Sequence, residues 1–276
     1  MIKSYAKINL SLSVVNKINK NLHGVQSLIS FIDLYDKILI KQIFAEDHKV
    51  IFYGKFKKLI PIQNTVFKLL EELDKKKLLK KKYQIKIYKK IPLESGMGGG
   101  SMNASSILKY FIEKNKLRIN KKNLKKLTQK IGSDVIVGMY NKPVILSKNE
   151  IITLKKKFNF YLVLFKPNFG CSPKKIYKNV KIYSKPALRI LKKNFNNVKY
   201  LKSLNNDLEK VAFNLYPKLH TYKKYMLKLP KVSFVRMTGS GSTIIGYFTS
   251  KKGSINASKI LKKKFKNNLC ILSKTI

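Results

Sequence analysis

The segment Pro92-Leu93-Glu94-Ser95-Gly96-Met97-Gly98-Gly99-Gly100-Ser101-Met102-Asn103-Ala104 constrains this chain more than any other, because four of its 13 glycines fall within five positions. Glycine loses more conformational freedom on ordering than any other residue. Such a cluster marks a place where backbone must approach something closely. The flanks differ in period. Upstream, Ile85, Ile87 and Ile91 share one face of a period-two segment, with Gln84, Lys86 and Lys90 on the other and Tyr88 and Lys89 as exceptions. Downstream, Ala104, Ile107, Leu108, Phe111 and Ile112 recur at helical spacing, and Ser101 or Asn103 is expected to cap that helix. A strand, a glycine loop and a helix start present free N–H groups and the positive end of a dipole, so the expected visitor is an anion. Two common phosphate loops fail. Gly100 is followed by Ser101-Met102 instead of Lys and Ser or Thr, and G-x-G-x-x-G counted from Gly96 ends on Ser101.

The formal charge of +47 on 276 residues raises a competing class, a basic nucleic-acid-binding protein. Yet 57 of the 60 basic residues are lysines, and only Arg118, Arg189 and Arg236 are arginines. Arginine is the favoured residue for bidentate phosphate and base contacts. The lysines are also spread over the whole chain. With Asn, Ile, Phe and Tyr abundant and Trp absent, the bias fits an AT-rich coding sequence, so no specific nucleic-acid partner is expected. With 44% hydrophobic residues the chain can build a proper core. No apolar run is long enough for a membrane span, and no signal-peptide core opens the chain. Two cysteines, Cys171 and Cys270, make neither a disulfide framework nor a zinc site. A cytoplasmic protein is expected.

Residues 6–14 alternate, with Ile8, Leu10, Leu12 and Val14 on one face and Lys7, Asn9, Ser11 and Ser13 on the other. Asn64 reads as the N-cap of a helix whose stripe is Val66, Phe67, Leu69, Leu70 and Leu73. Leu124, Leu127 and Ile131 mark a helix that stops at Gly132, and Asp134 follows as a cap of a short helix or a chemical group. Phe160–Phe165 is an apolar run of strand length expected to be buried on both faces. Gly239-Ser240-Gly241, before Thr243-Ile244-Ile245, reads as a hairpin turn.

Pro-x-x-x-Gly-x-Gly-Gly-Gly-Ser-x-Asn-Ala resembles the phosphate loop of the GHMP kinases, the superfamily of galactokinase and of homoserine, mevalonate and phosphomevalonate kinases. Met97 stands for the family's Leu and Met102 for its second Ser. Further matches follow in family order: Ala6-Lys7-Ile8-Asn9-Leu10, His23 with Gln26-Ser27-Leu28, Phe31 to Asp36, Asn64-Thr65-Val66, Gly132-Ser133-Asp134-Val135, Asn206-Asp207-Leu208-Glu209 and Met237 to Ser242. The triple glycine before Ser-x-Asn-Ala is most similar to the branch that phosphorylates 4-diphosphocytidyl-2-C-methyl-D-erythritol. Leu22, Ser133 and Ile136 depart from the pattern.

The resemblance implies an α/β (α+β) two-domain GHMP kinase fold with the active site in the interdomain cleft. An N-terminal ATP-binding domain would span 1–150 and a C-terminal domain 151–276. It implies ATP-dependent phosphorylation of the 2-hydroxyl of that cytidine diphosphate substrate, in the non-mevalonate route to isoprenoids. The alternative is another small alcohol such as mevalonate or homoserine. Asp134 is the implied base, and Lys7 would keep it ionised and stabilise the transferring phosphoryl group. Pro92, Gly96, Met97, Gly98, Gly99, Gly100, Ser101 and Asn103 are the implied ATP residues, with Asn64 contacting the nucleotide or capping its helix. Asn9, His23, Tyr177, Gly239, Ser240 and Gly241 would meet the substrate, His23 bonding the cytosine and Tyr177 stacking on it. Asp207 would orient the Gly239 region. Mg2+ is expected with ATP, without an assigned protein ligand. The protein would be a monomer or homodimer.

Overall fold

The computed structural model describes residues 1–19, 22–57, 60–114, 117–147, 150–186 and 197–276. Of the residues singled out above, Arg189 and the side chain of Leu22 lie outside that description. The first half of the chain forms β1 (Ile2–Asn19), β2 (Leu22–Ile43), β3 (Lys49–Tyr53), α1 (Thr65–Lys75), β4 (Lys82–Tyr88), α2 (Gly99–Lys114), α3 (Lys121–Ile131) and α4 (Val135–Gly138). The second half adds β5 (Val144–Ser147), β6 (Glu150–Thr153), β7 (Tyr161–Lys166), α5 (Pro173–Lys178), α6 (Val198–Ser203), α7 (Leu208–Leu215), α8 (Pro217–Leu227), β8 (Phe234–Met237), β9 (Ile244–Phe248), α9 (Lys251–Lys264) and β10 (Leu269–Lys274). Among the described residues no helix is long and apolar enough to cross a membrane.

These elements group into two compact units that interleave in sequence. The first holds Met1–Lys7, Leu34–Leu93 and Gly98–Asn141, and the second Ile8–Asp33, Glu94–Met97 and Lys142–Ile276. The interleaving comes from the loop segment Glu94–Met97 and from β1 and β2, strands of 18 and 22 residues. A typical strand has about six residues. Each of these is long enough to contribute to both units.

In the first unit, β3 pairs with β4 in parallel and β4 with β2 antiparallel. Their inner face carries Ile38, Ile85 and Ile87, all fully buried. Two helical stripes cover it. Val66, Leu69, Leu70 and Leu73 of α1, and Ala104, Ile107, Leu108 and Phe111 of α2, repeat the same three-four-seven spacing and share one apolar cluster. Burial stabilises each large side chain by about 1.5–3 kcal/mol. The stripe on α2 therefore anchors the helix whose first residues are the glycines.

In the second unit, four antiparallel strands run in the order β10-β7-β9-β8, and β5 joins β2 and β6. Leu162 to Phe165 are fully buried, as a strand covered on both faces requires. β8 and β9 are neighbours in register, so residues 238–243 form the turn of a hairpin. β1 departs from the simple alternation between Ala6 and Val14, where Lys7, Asn9, Ser11 and Ser13 are as buried as the apolar residues between them. Polar groups at such depth need hydrogen-bond partners, and Ser11 Oγ accepts one from Leu28 N at 3.2 Å.

Candidate active site

In the first unit, Lys7 on β1 and Asp134 in the turn before α4 meet, with Lys7 Nζ 3.1 Å from Asp134 Oδ2. Asp134 occupies the N-cap position of α4 yet makes no capping bond. Its carboxylate is turned to the ammonium, and the capping role open to it in the sequence is not the one it takes. Gly98 lies against this pair. Its φ is +67°, and a Cβ there would stand 3.0 Å from Lys7 Cε, 3.1 Å from Lys7 Cγ and 3.5 Å from Asp134 Oδ2. The position thus needs glycine twice, for its left-handed backbone and for want of space.

α2 begins at Gly99, and Gly98 O accepts the N–H of Met102 at 2.8 Å. Gly99, Gly100 and Ser101 form the first turn, where N–H groups have no helical partner. Neither Ser101 nor Asn103 caps the helix, because glycine adopts helical angles freely and the helix starts inside the glycine run. Ser101 is half-buried. Asn103 is buried within α2, with Oδ1 making no hydrogen bond among the described residues. Met102 is buried too, so it and Asn103 offer this surface backbone only. Asn64 caps α1, its Oδ1 accepting from Val66 N at 3.0 Å and Phe67 N at 3.4 Å. Gly100 faces the same end of α1, since a Cβ there would meet Thr65 Oγ1 at 2.9 Å.

In the second unit, the two glycine loops of the sequence come together. Gly96 has φ +72°, and a Cβ on it would lie 2.0 Å from the carbonyl oxygen of Thr238 and 3.1 Å from Gly241 N. Ser242 N donates to Glu94 O, and Thr238 Oγ1 donates to Gly96 O at 3.3 Å. Met97, next in chain, is fully buried. Asn9 N donates to Thr238 Oγ1 at 3.0 Å, and Asn9 Nδ2 to Ser27 Oγ at 2.8 Å. Asn206, first in its sequence motif but given no role there, holds the hairpin turn: its Nδ2 donates to Met237 O and Gly239 O, each at 2.8 Å. Asp207 instead accepts Val14 N at 2.8 Å, so the residue that orients the Gly239 region is its neighbour. The signal was available in Asn206, an amide able to serve two carbonyls at once. Ser240 and Gly241 complete the turn, Gly241 at φ +85°.

His23 on β2 lies against Tyr177 of α5, with ring centroids 5.3 Å apart and planes at 33°, and Tyr183 follows at 6.4 Å. Its buried Nδ1 makes no hydrogen bond among the described residues. Burial, helped by the charge of Lys17, lowers the imidazole pKa, which favours the neutral ring. A buried nitrogen without a partner is costly unless something else supplies one.

The model of the GHMP kinase N-terminal domain matches residues 64–147, and that of the GHMP kinase C-terminal domain matches 186–267. A protein of Pelagibacter ubique (strain HTCC1062), named 4-diphosphocytidyl-2-C-methyl-D-erythritol kinase, is 52% identical over 279 residues, covering 100% of this chain and 98% of that protein. The chain belongs to the GHMP kinase family. A protein of the same name from Clostridium tetani (strain Massachusetts / E88) is 33% identical, covering 100% of the chain and 99% of that protein. The crystal structure of a 4-(cytidine 5'-diphospho)-2C-methyl-D-erythritol kinase superposes with a TM-score of 0.79 at 20% identity, covering 99% and 98% of the two chains. That likeness shows the GHMP kinase fold. Within it, the first unit groups Lys7, Asp134 and Gly98 to Ser101. The second groups Asn9, Gly96 and Gly239 to Gly241, and separately His23 with Tyr177.

Proposed function

We propose that this GHMP kinase transfers the γ-phosphoryl group of ATP to the 2-hydroxyl of 4-diphosphocytidyl-2-C-methyl-D-erythritol, a step of non-mevalonate isoprenoid synthesis. The observation that carries the chemistry is the Lys7–Asp134 pair packed against Gly98. The N–H groups of Gly99, Gly100 and Ser101 hold ATP phosphates at the start of α2. Asp134 accepts the proton of the attacking hydroxyl, a role worth about 10²–10⁴ in rate. The Lys7 ammonium stabilises charge on the transferring group, and the remainder is positioning. Pro92, Gly96 and Met97 lead the backbone into the loop, and Asn64 holds α1 beside Gly100.

The choice of alcohol rests on the names of the relatives and on His23. Its lowered pKa, and an Nδ1 that makes no hydrogen bond among the described residues, suit the hydrogen-bonding edge of a cytosine, with Tyr177 as aromatic neighbour. Asn9, Gly239, Ser240 and Gly241 border the diphosphate. Mevalonate and homoserine carry no such base. Magnesium accompanies ATP and, when bound, neutralises charge on the β- and γ-phosphate oxygens. Among the described residues no three His, Cys, Asp or Glu come together. Magnesium bound with a nucleotide takes its ligands chiefly from phosphate oxygens and water. The enzyme works in the cytoplasm as a monomer or homodimer, without a specific nucleic-acid partner. A linear division at residue 150 falls between the two matched segments. The test is ADP release by the purified chain with a panel of acceptors. Turnover with the cytidine substrate and none with mevalonate or homoserine is expected; the reverse preference refutes the assignment.

A further inference from the structure

The alternation that places Ile85, Ile87 and Ile91 on the buried face of β4 and its extension places Lys89 there too. Lys89 is 4% exposed and Asp36, on β2, is 0% exposed. Lys89 Nζ pairs with Asp36 Oδ2. Asp36 Oδ1 accepts two further bonds, from Lys90 N at 2.7 Å and Ile91 N at 2.9 Å. One carboxylate therefore grips three successive residues immediately before Pro92, where the glycine loop opens. The far side of this grip is the loop itself. A Cβ on Gly99 would stand 3.0 Å from Ile91 Cγ2 and 3.4 Å from Lys89 Nζ, so both side chains pack against the first residue of α2.

A buried ion pair is a poor device for stability alone, since desolvation offsets much of its attraction and apolar replacements are often as stable. With only 13 acidic residues in the chain, an enclosed one bonded to the loop's entry strand calls for another role. We infer that Asp36 is a positioning residue for the ATP loop, acting through Lys89 and the backbone of Lys90 and Ile91 to fix where the first turn of α2 presents its N–H groups. The inference rests on the reading of that loop as the phosphate site.

The test uses the full chain and Asp36→Asn. The amide keeps one carbonyl oxygen for the Lys90 and Ile91 N–H groups but turns a donor toward the Lys89 ammonium. Affinity for a non-hydrolysable ATP analogue with magnesium is measured by calorimetry, alongside KM for ATP and KM for the alcohol. Losing one bond to a charged group predicts about tenfold weaker analogue binding and about tenfold higher KM for ATP, with the alcohol KM unchanged within twofold. Lys89→Met predicts the same split and carries the test if Asp36→Asn is insoluble. Equal effects on both substrates, or none on ATP in a folded variant, overturn the inference. A wild-type chain that binds no analogue overturns the reading of the loop and this inference with it.

Discussion

Replacing Gly98 by alanine tests whether the glycine loop and the Lys7–Asp134 pair form one working unit. Two costs can be worked from the structure. Holding alanine at φ +67° costs about 1–2 kcal/mol in the left-handed region. The added methyl would lie 3.0 and 3.1 Å from two carbons of Lys7, while carbon atoms prefer about 3.5–4.0 Å. Lys7 must retreat by about half an ångström or more, and it carries its ammonium away from an Asp134 oxygen now 3.1 Å distant. The backbone cost should lower Tm by about 2–8 °C. The displacement should lower kcat/KM by about 10- to 100-fold, because reacting groups tolerate little misplacement. Both are read on the same preparation, circular dichroism giving Tm and coupled ADP release at 25 °C giving kcat/KM. A lowered Tm with kcat/KM within twofold of wild type would mean that the glycine serves the backbone only and not the Lys7–Asp134 pair.

Other substitutions probe the second unit. Asn206→Ala removes two bonds to the hairpin carbonyls and the bond from Leu208 N to Asn206 Oδ1, so urea unfolding should show a loss of about 2–4 kcal/mol; a loss under about 1 kcal/mol would mean that the turn holds itself. Because burial lowers the pKa of His23, the unfolded chain binds more protons there than the folded one just below the ordinary imidazole value of about 6.5. Its contribution to stability is complete above that value and is lost as pH falls toward the lower folded pKa. An NMR titration of the His23 ring should give a midpoint below about 6.5, and a higher midpoint contradicts the geometry.

Much of this was legible in the sequence because local rules and fold agree. The stripes of α1 and α2, the Asn64 cap, the buried run of β7 and the Gly239 hairpin all follow from periodicity and turn chemistry. The exceptions are informative. Lys89 puts a charge on the apolar face that Ile85, Ile87 and Ile91 share, because its partner, Asp36, lies 53 residues away in sequence. The start of α2 was displaced because glycine carries no signal that separates a turn from a first helical residue. Asn206 stood in a matched motif without a role of its own, because an amide able to serve two carbonyls does not reveal which carbonyls it serves. The interleaved units were hidden for a related reason: β1 and β2 change company midway without any break in pattern.

Asp134→Asn separates proton transfer from nucleotide binding. The amide preserves size and can still face Lys7, but it cannot take a proton from an alcohol. If Asp134 is the base, kcat for phosphorylation of the cytidine substrate falls by about 10²–10⁴ while affinity for an ATP analogue stays within about threefold of wild type. Turnover by Asp134→Asn within tenfold of wild type would contradict it.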